Sequence, residues 1–268
     1  MARYNKKRAR QLQHDVFRDK TMATFDRLGD RLEGRGRMIL YALAGLAALA
    51  VLLGLYSWWS NRQLNEARAA LGRAITIAET PVSPAPAPGA TTPTFSTESE
   101  RAQRAVEEFQ KVEAKYGDPF KTQARYFKAN NLLLLNRQQG ISELEAVSKS
   151  DEDAIADWAK FALAQAREAD GQYDAAAALY NELATDANSF VPAETVNLRL
   201  ATVYEQQGKK AEAADLFFRI AETARKETDG EGQPAAPPSA AREAAEKLQK
   251  LDPARYAQLP PEPVRNLP

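Results

Sequence analysis

The residue types that most often carry out chemistry are scarce in this chain. It has no cysteine, and its single histidine is His14, near the N-terminus. A thiolate nucleophile is therefore excluded, and histidine-based triads and metal sites are excluded from the rest of the chain. The sequence also lacks the nucleophile-elbow, zincin, P-loop and dinucleotide-binding glycine patterns. We expect no enzyme activity, no bound cofactor and no metal site.

Carboxylates are the remaining candidates for acid–base or metal chemistry, and Asp151-Glu152-Asp153 is their most conspicuous run. This run lacks the glycine and the distal glutamate of a calcium-binding loop. It directly precedes a helix predicted over 154–169, and negative charge at a helix N-terminus is favourable to the helix dipole. We therefore expect the run to cap that helix.

The longest apolar stretch is Met38–Trp59, which contains no Asp, Glu, Lys, Arg or His. At about 1.5 Å per residue, a helix of this length reaches about 33 Å, enough to cross a hydrocarbon core of about 30 Å. Tyr56, Trp58 and Trp59 stand at its C-terminal end, where amphipathic rings settle at the headgroup level. The sequence predicts one transmembrane helix, surrounded by membrane lipid.

Charge is distributed unevenly around this predicted span. Residues 1–37 hold eleven Lys and Arg against five Asp and Glu, although the whole chain has a formal net charge of zero. Positive charge beside a span stays on the cytoplasmic side. We expect an uncleaved anchor with a cytoplasmic N-terminus and with residues 60–268 across the membrane, in the periplasm if the host is bacterial. No nucleic-acid partner is expected, because Arg35-Gly36-Arg37 is too short and generic a basic motif.

Two weaker patterns accompany the span. Phe25, Leu28 and Leu32 recur at helical spacing in the basic head, which predicts a short amphipathic helix. Such a helix could lie on lipid, dock on a partner or simply be solvated, and the pattern does not decide among these. Inside the span, small residues four apart would let a second helix approach closely. These are Ala44, Ala48, Ala50 and Gly54.

Beyond the span, composition divides the chain into segments. Residues 60–80 continue as a helix, 81–99 form a Pro-rich flexible insertion, and 100–225 are almost wholly helical. Residues 226–268 hold a second break, a short helix near Ala240–Leu251 and a Pro-rich tail, which is either a polyproline ligand or an extended terminus. Turns are predicted at Gly117–Pro119, Gln138–Gly140, Gly171–Gln172 and Gln207–Lys209.

The helical region repeats itself. A glycine, a small residue, an aromatic and an aliphatic recur at fixed offsets, which is typical of paired helices with a tight turn and a close crossing. One copy is Gly171, Tyr173, Ala176, Tyr180 and Leu183, and the next is Gly208, Lys210, Ala213, Phe217 and Ile220. In the first helices, Leu163 and Ala164 match Leu200 and Ala201, which Tyr204 follows, and Ala105, Phe109 and Val112 repeat the second-helix pattern upstream.

One copy of the repeat departs from the pattern. Around Ala129, Ile141 and Glu145, a glutamate stands where an aromatic is expected, and no alanine matches Ala176. We expect the second helix of this copy to be short.

These features resemble the tetratricopeptide repeat (TPR), a helix-turn-helix unit of 34 residues. The best match is Gly208-Lys209-Lys210-Ala211-Glu212-Ala213. The resemblance implies an all-α fold: one N-terminal transmembrane helix followed by a TPR-like α-solenoid of about three to four helix pairs. On that alignment, residues 60–80 are the first helix of the first repeat and 100–116 its second, with the Pro-rich segment inserted between them.

The basic head, the single span and the divergent repeats together resemble the ancillary SecYEG translocon subunit family, the YfgM-like membrane-anchored repeat proteins. This resemblance implies a scaffold in the bacterial inner membrane that contacts the Sec translocon and periplasmic chaperones or client peptides. An alternative is an accessory structural subunit of another membrane complex, with its groove permanently filled.

By the same alignment, first-helix positions line a concave groove that could hold an extended peptide or a partner helix. Trp158 and Phe161 are open to a second interpretation, as core residues packed by a neighbouring repeat or by the C-terminal helix. The implied groove residues are Tyr126, Asn130, Trp158, Phe161, Gln165, Glu168, Leu198, Thr202 and Glu205.

Overall fold

A computed structural model of the chain describes residues 36–83, 94–228 and 235–262. The predicted amphipathic helix of the basic head and the middle of each Pro-rich segment lie outside these residues. The described part is all-α, as the sequence predicts. Its helices are α1 (Gly36–Glu79), α2 (Glu98–Lys115), α3 (Phe120–Leu135), α4 (Arg137–Val147), α5 (Asp153–Ala169), α6 (Tyr173–Thr185), α7 (Ala193–Gln206), α8 (Lys210–Lys226), α9 (Ser239–Leu251) and α10 (Pro253–Tyr256).

Among the described residues, α1 is the one helix long and apolar enough to cross a membrane, by length and composition. The chain's two compact units are Met1–Asn65 and Glu66–Pro268, and the boundary between them falls within α1. In the first unit the large apolar side chains of α1, such as Leu52 and Trp59, are exposed. The small residues of the predicted packing stripe, Ala44, Ala48, Ala50 and Gly54, are exposed as well.

In the second unit, the C-terminal part of α1 pairs with α2. Ala67, Leu71 and Ala74 of α1 are buried in one cluster with Phe109 and Val112 of α2. The connection between the two helices is closed at its ends, because the Ser83 N–H donates to the Phe95 carbonyl at 2.9 Å and the Phe95 N–H to the Pro81 carbonyl at 3.3 Å. The Pro-rich segment therefore leaves and rejoins the helical pair at one place.

Three more pairs follow, namely α3 with α4, α5 with α6 and α7 with α8, and consecutive helices pack against each other from α2 to α9. The second helix of every pair buries a small residue, a larger apolar or aromatic one four positions later, and an aliphatic one three further on. The four sets are Ala105, Phe109 and Val112; Gly140, Leu144 and Val147; Ala176, Tyr180 and Leu183; and Ala213, Phe217 and Ile220.

The second pair corrects two sequence predictions. Gln138–Gly140 is not a turn, because α3 ends at Leu135 and the break falls at Asn136, whose side chain caps α4 by accepting from the Gln139 N–H at 3.2 Å. Gly140 lies inside α4 as the small crossing residue. A Cβ there would come within 2.6 Å of the Leu133 backbone nitrogen on α3. This copy therefore keeps the repeat pattern, but Leu144, and not Glu145, occupies the position of the large apolar residue. The helix α4 is short, at 11 residues, as predicted.

The two predicted glycine turns are confirmed. Gly171 and Gly208 have φ angles of 72° and 75°, in the left-handed region that residues with a Cβ rarely adopt. Gly171 joins α5 to α6, and Gly208 joins α7 to α8, so a glycine in the left-handed conformation follows the first helix of both pairs.

A buried charge network ties the first two pairs together. Lys128 of α3 is only 6% exposed, and its Nζ lies 2.7 Å from Glu113 of α2 and 3.2 Å from Glu143 of α4. Arg125 also contacts Glu143, at 3.2 Å. Burial alone would raise the pKa of Glu143, but the charges and hydrogen bonds of Lys128 and Arg125 outweigh it and hold that pKa below its usual value.

The C-terminal segment covers the last pair. Ala241, Ala244 and Leu248 of α9 are buried with the core of α7 and α8. Leu259 is buried too, and Arg225 of α8 donates to the Pro260 carbonyl and pairs with Glu262 at 3.1 Å. The described start of the Pro-rich tail, residues 259–262, has no helical structure and packs on the solenoid, a contact that the sequence did not predict. The short helix α10 was not predicted.

Candidate partner-binding site

The predicted groove residues lie on α3, α5 and α7, the first helices of the second, third and fourth pairs. All of them except Phe161 and Leu198 keep part of their surface exposed. The partly or fully exposed members are Tyr126, Asn130, Trp158, Gln165, Glu168, Thr202 and Glu205. Each of these residues is therefore accessible enough to contact a partner.

Phe161 and Leu198 are core residues. Both belong to the large buried cluster of the C-terminal pairs, and the Phe161 ring meets the Tyr180 ring edge-on with centroids 5.6 Å apart. The interpretation as a core residue is therefore confirmed for Phe161, whereas Trp158 stays a predicted groove residue. Phe161 packs inside, and Trp158 faces outward.

Trp158 is held by the core beneath it. Its ring is 37% exposed and meets the Phe161 ring edge-on, with centroids 6.0 Å apart and an interplanar angle of 83°. Edge-to-face contact of this kind is favourable because the positive ring edge meets the negative ring face. Trp158 therefore presents a large surface whose orientation is already fixed before a partner binds.

Glu168 makes a partly buried contact within the repeat array. Its carboxylate accepts from the Tyr180 hydroxyl at 3.0 Å and lies 3.8 Å from the Arg199 guanidinium of α7. Burial raises the pKa of Tyr180, and the neighbouring Glu168 charge raises it further. Tyr180 thus stays a neutral donor, and Glu168 links α5, α6 and α7.

The other polar groove residues make local bonds. Asn130 donates to the Tyr126 carbonyl at 2.9 Å, and the Thr202 hydroxyl donates to the Leu198 carbonyl at 2.9 Å. Burial raises the pKa of the Tyr126 phenol, while its contact with Asn130 acts in the opposite direction. Glu205 pairs with Lys247 of α9 at 3.3 Å, so the C-terminal helix reaches the last groove position.

Ion pairs also connect adjacent repeats. Arg167 of α5 contacts Glu145 of α4 at 2.6 Å, and Arg137 of α4 donates to the Ala166 carbonyl at 2.8 Å and to Asp170 at 2.5 Å. Glu145, which the sequence places at an aromatic position, is therefore an inter-repeat ion-pair partner. These contacts fix the second pair against the third.

The acidic run before α5 behaves differently from the prediction. The helix begins at Asp153, one residue before the predicted start, and Asp153 supplies negative charge to its first turn. The N-cap residue Glu152, however, makes no side-chain capping bond, so the predicted capping contact is wrong. Asp151 and Asp153 are exposed, and Glu152 is partly exposed.

The sequence-based reasoning missed Phe190. This residue lies in the loop between α6 and α7 and is 57% exposed, and its backbone N–H donates to the Asp157 carboxylate of α5 at 2.9 Å. Asp157 immediately precedes Trp158, so two exposed aromatic residues flank one carboxylate. The only signal in the sequence is an aromatic residue outside any helical period, and such a residue is not informative by itself.

Metal-ligating groups and cavities of the described residues lie apart from these first-helix positions or are absent. Within the described ranges, no group of three or more His, Cys, Asp or Glu side chains is placed to hold a metal ion. A cavity of about 400 Å³ lies between α8, α9 and the tail, with Ala221, Ala241 and Arg225 in its lining. A shallower one of about 600 Å³ lies at the two glycine turns, beside Gln172 and Lys209.

Comparison with known proteins supports the fold assignment. No family model matches the sequence. No curated protein matches it either. Among solved structures, the chain is similar to a putative kinesin light chain of Podosopora anserina with nearly identical TPR-like repeats, and to a single-substitution variant of that protein. Each match has a TM-score of 0.50 and 17% sequence identity, and covers 71% of this chain and 87% of the other. The predicted TPR-like fold is confirmed at this level.

Proposed function

We propose that this chain is a membrane-anchored scaffold for protein–protein interaction and that the exposed surface of α3, α5 and α7 binds its protein partner. The observation that carries the proposal is Trp158, a large aromatic exposed on a first helix of a TPR-like array and oriented by the buried Phe161 ring. Exposed, pre-oriented aromatics are the residues that dominate binding energy at interfaces. The long apolar helix α1 is the proposed anchor.

The finer assignment rests on the likeness of the sequence to translocon-associated repeat proteins. In this proposal the chain sits in a bacterial inner membrane with its basic head in the cytoplasm and its repeats in the periplasm. There it contacts the Sec translocon and a chaperone or client peptide. The excess of Lys and Arg in residues 1–37 supports the orientation.

The partner is testable by site-specific cross-linking in intact membranes. A photo-activatable residue replaces Trp158 in the full chain, and a control chain carries it at Arg219, which keeps part of its surface exposed on α8, a second helix. We expect covalent adducts with a translocon or chaperone component from position 158 and few from position 219. Equal adducts from both positions, or none from 158, would contradict the proposed surface.

The same experiment separates a transient scaffold from a permanent subunit. With the photo-activatable residue moved to Gln165, which is partly exposed on the same helix, Trp158→Ala should remove client adducts while the complex in mild detergent stays intact. If Trp158→Ala instead dissolves that complex, the chain is an accessory structural subunit with a filled groove.

Orientation has its own test. Protease added to spheroplasts should cut the full chain within the Pro-rich segment 81–99, which lies on the C-terminal side of the anchor. Protection of this segment in spheroplasts, with cleavage after lysis, would reverse the proposed orientation.

A further inference from the structure

Trp158 of α5 and Phe190 of the loop between α6 and α7 are two exposed aromatic residues connected through Asp157. Phe190 is 57% exposed and Trp158 is 37% exposed. Trp158 directly follows Asp157 in the chain, and the Phe190 N–H donates to the Asp157 carboxylate at 2.9 Å. Exposed large apolar residues that lie near one another can mark an interaction site, whereas single ones are common on any protein surface. Two such residues connected through one carboxylate are therefore a candidate interaction site.

The loop that carries Phe190 is ordered by its own bonds. The Asn188 N–H donates to the Asp186 side chain at 2.9 Å, and the Val191 N–H donates to the Ser189 hydroxyl at 3.2 Å. Val191 is buried in the core directly after Phe190. The exposure of Phe190 thus comes from a loop anchored on both sides, so binding there would cost little ordering entropy.

The surroundings of the pair are acidic. Asp151 and Glu152 directly precede α5, Asp153 is its first residue, and Asp157 follows one turn later, next to Trp158 and bonded to the Phe190 N–H. In the described part of the chain, no lysine or arginine forms an ion pair with any of these carboxylates, whereas nearby Lys160 is already paired with Glu182 at 2.5 Å. The four carboxylates therefore have no basic side chain within ion-pair distance among the described residues, although Lys149 and Lys160 are near in sequence, and their excess of negative charge favours a cationic partner.

We propose that these six residues, the acidic-aromatic patch (Asp151, Glu152, Asp153, Asp157, Trp158 and Phe190), bind a basic protein segment that carries apolar side chains between its lysines or arginines. The inference rests on the proposed scaffold function and specifies the class of partner. Apolar side chains of the segment contact Trp158 and Phe190, and its cations face the carboxylates. Cation–π contact of a lysine or arginine with the exposed Trp158 ring adds to this preference.

The test uses the full chain in detergent and a short fluorescein-labelled peptide in which pairs of lysines alternate with single phenylalanines. Binding is measured by fluorescence anisotropy. Two control peptides replace every lysine by glutamate or every phenylalanine by glycine. We expect the lysine–phenylalanine peptide to bind and both controls to bind at least tenfold more weakly.

Variants of the chain assign the binding to the patch. Phe190→Ala and Trp158→Ala should each weaken the peptide about tenfold, the usual effect of truncating an interface anchor. Leu134→Ala is the matched control, because Leu134 is also 57% exposed but lies at the C-terminal end of α3. It should leave the affinity unchanged. Circular dichroism checks that each variant keeps its helix content.

The contribution of the carboxylates is tested by measuring how peptide binding depends on salt concentration. Neutralising the run with Asp151→Asn, Glu152→Gln and Asp153→Asn should weaken binding at low ionic strength and reduce its dependence on salt, because exposed charges are screened within about 10 Å at 0.1 M salt. An unchanged salt dependence would overturn the electrostatic half of the proposal.

Other outcomes are equally decisive. Equal binding of the glutamate peptide, or equal loss with Leu134→Ala, overturns the patch as a basic-segment site. If Phe190→Ala changes the molar mass of the purified chain by light scattering and leaves peptide binding intact, the occupant is a second copy, and the proposal fails. Each of these results leaves the cross-linking test of the scaffold function standing, so the two proposals fail separately.

Discussion

Lys128 offers the sharpest test of how this fold is held together. Its ammonium group is the centre of a network that joins α2, α3 and α4, with Glu113 at 2.7 Å and Glu143 at 3.2 Å. Lys128→Met keeps most of the aliphatic stem and removes the charge. The two carboxylates are then left with Arg125, which lies 3.5 Å from Glu113 and 3.2 Å from Glu143.

The size of the effect follows from burial. Removing one partner of a fully buried ion pair costs about 3–5 kcal/mol, because the other charge is left uncompensated. Here the Glu113 and Glu143 side chains keep 25% and 23% exposure, so water and Arg125 stabilise them in part. We therefore expect a loss of about 2–3 kcal/mol, which lowers the Tm of a repeat domain of this size by about 4–12 °C.

The assay is thermal unfolding of the full chain in detergent, followed by circular dichroism. Lys111→Met is the matched control, because Lys111 pairs with Glu108 at 2.7 Å on the surface of α2 and is 63% exposed. An exposed pair contributes about 0–1 kcal/mol, so this control should change the Tm little. If the two variants lose equal stability, the network contributes no more than a surface ion pair, and the reasoning is refuted.

Acidification gives an independent check on Lys128→Met. The pKa of Glu143 is depressed in the folded wild-type protein, so its stabilising contribution is present above the unfolded pKa of about 4.3 and is lost as pH falls through the folded value. In the variant, protonation of Glu143 instead relieves repulsion between the carboxylates. The difference in Tm between wild type and variant should therefore be largest near pH 7 and shrink towards pH 4. A constant difference would show that Lys128 acts by packing alone.

Three further substitutions probe the repeat geometry, each by its urea-unfolding midpoint. Gly140→Ala should destabilise by about 1–3 kcal/mol, since its Cβ would meet the Leu133 nitrogen at 2.6 Å, and a neutral effect would show that α3 and α4 separate freely. Gly208→Ala should cost about 1–2 kcal/mol from its φ of 75°, and no loss would mean that the turn relaxes. Tyr180→Phe should cost about 1–2 kcal/mol through the lost bond to Glu168, and equal stability would show that this bond contributes nothing.

The repeat class was predictable because its signals are local. Glycine at the positive-φ turns, and a small and a large apolar residue four apart, are requirements of neighbouring backbone segments, so they appear directly in the residues around Gly171 and Gly208. The same holds for the long apolar stretch of α1, whose length and composition need no tertiary information.

The register of the second pair was not predictable in this way. Gln138, Gln139 and Gly140 have the composition of a turn, and glycine serves turns and close helix crossings equally well. Only the approach of α4 to the backbone of Leu133 decides that Gly140 is a crossing residue. In this register Asn136 caps α4, and the Glu145 side chain lies at the surface, where it pairs with Arg167.

For the surface residues, too, some features follow from the sequence and others only from the tertiary structure. The sequence by itself determined the helical pairing, the candidate anchor and the first-helix positions, because periodicity reports which residues share a face. Only the tertiary structure decided that Phe161 is buried while Trp158 is exposed, that Phe190 is brought beside Asp157, and that Lys128 is enclosed by carboxylates from two other helices. Burial and ion pairing depend on residues distant in the chain, and no local pattern records which distant residues will meet.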